Sequence, residues 1–129
     1  MKSLFFSFFI LMMSNDVFAQ SCEKKYTYQF PEGKKEVCFL KEKKLFVTSE
    51  CFYNEKCHAL QSVQSPEFKK IVLKTEELKN GKNPATLLCK KLMGKLILAK
   101  TNLGHEEFFC QFEDNSMIST SSQYMIYLD

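Results

Sequence analysis

Six cysteines, Cys22, Cys38, Cys51, Cys57, Cys89 and Cys110, constrain this chain more than any other feature, because all of them follow a stretch that reads as an export signal. That stretch has Lys2, an apolar run over residues 4–13, a polar Ser14-Asn15-Asp16 and then Val17-Phe18-Ala19, which puts small or short residues at the −3 and −1 positions of a cleavage site. Its apolar part is too short to cross a bilayer core of about 30 Å. Residues 1–19 are therefore expected to be a signal-peptide helix, with the mature chain starting at Gln20 and working in the periplasm or outside the cell. A lipid anchor on Cys22 is the less favoured reading, since Ala19 and Gln20 fit a lipoprotein signal poorly and acylation would leave an odd number of cysteines.

In an oxidising compartment an even set of cysteines in a short chain is a disulfide framework and not a metal site. Each bridge is worth about 2–4 kcal/mol, which matters because roughly 110 residues bury only a modest core. Six cysteines allow about 15 pairings. The expected ones are Cys89 with Cys110 and Cys51 with Cys57, leaving Cys22 with Cys38 by elimination. Against that last pair, a tight hairpin at Glu32-Gly33 would set Cys22 opposite a residue near Lys43.

The expectation for Cys89 and Cys110 comes from local pattern. Asn83-Pro84 is a helix start, with Asn as cap and Pro in the first helical position. Ala85, Leu88, Cys89 and Leu92 then share one helical face, Lys90 and Lys91 sit at the negative end of the helix dipole, and Gly94 is expected to end the helix in a left-handed conformation. After Gly94 the period changes to two: strands are predicted over 95–101 and 105–112, then a turn at Asp114-Asn115 and a third strand over 117–121. Phe108, Cys110 and Phe112 are placed on one face of the second strand, beneath the helix.

Asn83-Pro84-Ala85, Cys89, Gly94-Lys95-Leu96, Cys110-Gln111-Phe112 and Asp114-Asn115-Ser116 together resemble a short, exported bacterial domain of unknown function that carries the label haemolysin. The resemblance covers roughly the last 45 residues. It implies a small exported protein and supplies no catalytic residues. Met93 stands where that family usually has a second glycine, and Tyr124 and Tyr127 stand where it has a tryptophan on the last strand.

Upstream, Tyr26, Tyr28 and Phe30 alternate with Thr27 and Gln29, Pro31-Glu32-Gly33 turns, and residues 37–40 and 45–48 return, which is an antiparallel meander. The Cys51–Cys57 loop follows, then a helical turn or short strand over 58–63, a strand over 69–73 and a short helix begun by Thr75-Glu76-Glu77 and ended by Asn80-Gly81. The expected fold is α+β: a small disulfide-stapled domain of antiparallel strands with one main helix packed on them, preceded by the signal-peptide helix. Its parts are 1–19, a β-rich half over 20–81 and a helix-plus-strands half over 82–129, the two halves sharing one core.

Composition narrows the function. All 18 basic residues are lysine, the net charge is only +3, and without arginine there is no guanidinium fork for phosphate or guanine, so nucleic acid is not an expected partner. Lys24-Lys25, Lys34-Lys35 and residues 41–44 read as solvated turns and edges. Cys57-His58 could be a thiol beside an imidazole, but neighbours on a strand face opposite ways and an exported thiol is oxidised. Cys51, Cys57, His58, His105 and Cys110 do not have the spacing of a zinc site. His105-Glu106-Glu107 reads as a solvent-facing strand start. No catalytic residue, metal or cofactor is expected. One of Phe108 and Phe109 must face away from the core; Phe109 with Tyr124 and Tyr127 is the candidate binding patch. The favoured reading is a monomeric, non-enzymatic binding module of the cell envelope whose partner is an unknown protein or envelope component. A membrane-active protein, or a small protease inhibitor presenting Lys56 in the Cys51–Cys57 loop, are the alternatives.

Overall fold

The structure is a computed structural model that describes residue 22 and residues 24–41, 43–52, 54 and 56–129. The signal segment, residues 1–19, lies outside the described residues.

Two three-stranded antiparallel meanders make the frame. The first is β1 (Lys24–Phe30), β2 (Gly33–Leu40) and β3 (Leu45–Thr48); the second is β4 (Lys95–Lys100), β5 (Glu106–Gln111) and β6 (Met117–Ser119). Their turns are set by local chemistry. Pro31 and Glu32 join β1 to β2, with Gly33 at φ +134°, and Asn115 at φ +68° turns β5 into β6 while Asp114 Oδ1 accepts from the Ser116 N–H at 3.0 Å.

The two meanders then close on each other. β3 meets β6 at Val47 opposite Ile118, and β1 meets β4 at Gln29 opposite Lys100, giving a closed barrel in the order β1-β2-β3-β6-β5-β4. This corrects the α+β expectation of antiparallel strands with one main helix packed on them: the fold is a closed six-stranded antiparallel barrel with short helices.

Alternation along each strand sorts the apolar residues into two cores. Tyr28, Phe30, Val37, Ala99, Phe109 and Met117, with Phe46 and Ile97, come from all six strands and fill the barrel. Their neighbours Cys38, Leu45, Val47, Cys110 and Ile118 face the other way, where the helices cover them. The cover consists of α1 (His58–Gln64), α2 (Pro66–Lys69), α3 (Pro84–Lys91) and α4 (Thr120–Leu128), contributing Leu60, Val63, Phe68 and Leu88 among others. Asn83 caps α3 by accepting from the Ala85 N–H at 2.8 Å. The start of α1 is capped from far along the chain: Asp114 Oδ2 accepts from the His58 N–H and Ser116 Oγ from the Ala59 N–H, both at 2.9 Å.

The disulfides are Cys22–Cys38, Cys51–Cys57 and Cys89–Cys110, and no cysteine is free. The β1–β2 register sets Lys24 opposite Phe39 and Lys25 opposite Cys38, and the Cα of Cys22 lies 5.5 Å from that of Cys38.

Three local expectations are corrected. Residues 120–128 are helical, not the end of a strand: Ser119 accepts from the Ser122 N–H at 3.1 Å and so caps α4. Residues 66–69 form α2, and 71–73 carry no strand. The left-handed residue after α3 is Met93, at φ +65°, whereas Gly94 is needed for a different reason: a Cβ there would overlap Cys110 Sγ and lie 2.9 Å from Cys89 Sγ. Gln123 is fully buried, and neither of its amide atoms has a hydrogen-bond partner among the described residues.

Candidate functional site: an open seam in the barrel wall

β1 stops before β4 does. Gln29 is opposite Lys100, and in that register Pro31 would come opposite Leu98 and Gly33 opposite Leu96, but the chain turns at Pro31-Glu32. Which β4 groups this strands follows from strand geometry. The Thr101 N–H donates to the His105 carbonyl at 2.9 Å, so Thr101 points toward β5, and by alternation so do Ala99, Ile97 and Lys95. The N–H and C=O of Leu96 and Leu98 therefore point toward the seam, beyond the end of β1. β5 agrees independently, because the Phe112 N–H donates to Ser116 on the β6 side, which turns Gln111 and Phe109 toward β4.

Inside the seam is a cleft of about 270 Å³. Phe30, Ile97 and Met117 form its apolar floor, and Glu32, Lys95 and Gln111 stand at its edge. A cavity of roughly 150 Å³ is enough to hold a benzene ring, so this space takes one aromatic or a pair of aliphatic side chains. Lys95 is exposed and has no ion pair to a described residue, while Glu32 is 3.9 Å from Lys35. Outside the seam, Leu98 and Phe108 are a cross-strand pair with 36% and 42% of their surfaces exposed.

The residues singled out from the sequence lie elsewhere. Phe109 is fully buried inside the barrel, and its neighbour Phe108 is the outward one. Tyr124 and Tyr127 are half-buried on α4 against the helical core; Tyr127 packs edge-on against Phe68 and donates to the Ile71 carbonyl. The three therefore do not form one exposed patch. Cys57 is bonded to Cys51, and the His58 N–H caps onto Asp114. Lys56 is exposed, its N–H donating to Asn54 Oδ1 at 3.0 Å. His105 donates its N–H to Thr101 Oγ1 at 3.1 Å, Glu106 is 3.6 Å from Lys100, and Glu107 turns into the barrel. Among the described residues, no cluster of three or more His, Cys, Asp or Glu side chains is placed to hold a metal ion. No helix among them is long and apolar enough to cross a membrane.

A polar chain at the barrel's other end was not legible in the sequence. Tyr28 Oη donates to Glu107 Oε2 at 3.2 Å, Ser121 Oγ donates to Glu107 Oε1 at 2.9 Å, and Ser119 shares hydrogen bonds with Ser121 and Ser122. Burial, reinforced by the Glu107 charge and hydrogen bond, pushes the Tyr28 phenol up to about 12. That leaves Tyr28 a fixed donor at neutral pH, and it leaves Glu107 occupied by two hydroxyls, so the chain holds the barrel end together. No protein-family model, curated protein or solved structure matches this chain.

Proposed function

We propose that this is an exported, disulfide-stabilised, non-enzymatic binding module of the cell envelope, and that it engages a protein or envelope component through the seam between β1 and β4. The observation that carries the reading is the seam itself: an apolar cleft of about 270 Å³ beside a length of strand edge that its own barrel leaves unpaired. Natural sheets cover, shorten or charge such edges. All six cysteines are in disulfides, and Glu107 is tied to Tyr28 and Ser121, so these groups already have structural roles. Three disulfides fit a secreted or exported protein, which supports reading the N-terminal segment as a signal.

The test is site-specific photo-crosslinking in cells that make the protein. A photoreactive residue in place of Lys95 is expected to give a discrete adduct, and one at Gln64, exposed on α1, is expected to give none. Equal labelling from both positions, or none from Lys95, would remove the seam as the working surface.

A further inference from the structure

We infer that the seam takes an extended peptide as an additional strand, antiparallel to β4, with the pattern apolar, apolar, any residue, acidic. This deepens the binding reading above and rests on it.

The peptide would continue the line that β1 abandons. Gln29 and Lys100 point their backbone groups at each other, and extending that register puts the first peptide residue opposite Leu98 and the third opposite Leu96, each exchanging backbone hydrogen bonds with β4. Directly opposite residues project to the same face of a sheet. The first side chain thus lies on the outer face beside the exposed Leu98–Phe108 pair. The second, opposite Ile97, points inward over Phe30, Ile97 and Met117, into a space that suits one ring or a branched aliphatic chain. The fourth, opposite Lys95, shares the inner face with an ammonium that has no ion pair to a described residue, and so a carboxylate complements it. The free backbone groups select an extended polypeptide, the cleft selects the second side chain, and Lys95 selects the charge.

The experiment measures binding of the folded, oxidised protein to peptides that begin Val-Phe-Thr-Asp, since Phe30 already holds the place opposite Ala99, and that continue into a labelled Gly-Ser tail. N-methylation separates strand addition from loose apolar contact. Removing the N–H of the third residue is expected to weaken binding at least about tenfold, and removing that of the second, which points away from β4, less than about threefold. Asp→Lys in the peptide is expected to cost about two- to fivefold, and K95E to reverse that preference. L98P deletes an N–H that the β4–β5 ladder does not use, so the barrel is expected to persist while binding is lost; L98A controls for the side chain. The Leu96 and Leu98 amides are expected to exchange more slowly with peptide bound.

Equal sensitivity to N-methylation at the second and third residues, or unchanged Leu96 and Leu98 exchange on binding, overturns strand addition and leaves the seam-binding reading standing. A concentration-dependent dimer of the protein that L98P abolishes also overturns it, since a second copy would then be the occupant. Peptide binding with the expected pattern, alongside no cellular crosslink from position 95, would sustain this inference and defeat the functional reading instead.

Discussion

Cys89 and Cys110 are joined directly against Gly94, so closely that a Cβ at residue 94 would overlap the Cys110 sulfur. The φ of Gly94 lies outside the left-handed region, so the demand for glycine here is one of space alone. Gly94→Ala is expected to cost about 1–3 kcal/mol, as overpacking of a tight interior does. Repeating the substitution where Cys89 and Cys110 are both Ala should remove most of that penalty, because the obstructing sulfurs are gone. Denaturant titrations of the four proteins in this cycle measure the coupling.

Asp114 joins the β5–β6 turn to the first turn of α1. Burial raises its carboxyl, but hydrogen bonds from Ser116 and from the His58 N–H outweigh burial and hold it below the usual aspartate value. Asp114→Ala is expected to cost about 1–2 kcal/mol near neutral pH. A carboxyl depressed in the folded state stabilises fully above its unfolded pKa, and the contribution fades as pH falls through the folded one. The gap between the two proteins should therefore be constant from pH 7 to about pH 5 and close below about pH 4, as followed by urea unfolding at each pH.

Tyr28 gives the opposite pH signature. Its phenol is raised to about 12 by burial and then by Glu107, so the neutral form is the stabilising one. Stability from this residue is complete below the unfolded pKa of about 10 and is lost as pH climbs toward the folded value. Tyr28→Phe removes the hydrogen bond to Glu107 and is expected to cost about 1 kcal/mol at neutral pH, with the difference shrinking above about pH 10 and reversing in sign as pH climbs toward the folded value. An ultraviolet titration of the folded protein should lose one late-ionising tyrosine in the variant.

Gln123 lies wholly inside the protein with its amide unpartnered among the described residues. A buried amide in that state costs about 1–3 kcal/mol, whereas methionine has a similar shape and no such requirement. Gln123→Met is expected to raise stability by about 1 kcal/mol, seen as a higher denaturation midpoint with an unchanged slope.

What the sequence conveys about this fold is what neighbouring residues decide between themselves. Asn83-Pro84 starts α3, Asn115 takes the positive φ of the β5–β6 turn, and alternation along β1 and β5 marks strands. Closure of the barrel is decided between residues far apart, at Gln29 with Lys100 and Val47 with Ile118, and one paired position at each joint leaves no periodicity to read. Residues 117–121 mislead because Met-Ile-Ser-Thr-Ser suits a strand, while Ser119 as a cap turns the chain into α4. Alternation shows that Phe108 and Phe109 face apart; which one enters the barrel is fixed by the register with β4 and β6. The seam depends on the same unseen register. Pro31 marks where β1 ends, but only its pairing with β4 reveals what that ending exposes.

The placement of the disulfides has a consequence for how the molecule could be divided. Cys22–Cys38 and Cys51–Cys57 lie within the first meander and its following loop, and Cys89–Cys110 lies within the second unit, so none crosses between them. A chain cut near Gly81 would leave two separately oxidised fragments held only by non-covalent contacts: apolar packing, the strand pairing at Gln29–Lys100 and Val47–Ile118, and side-chain hydrogen bonds such as Tyr28 to Glu107. Their reunion would follow mass action, with assembly set by fragment concentration where the intact chain has a fixed local one.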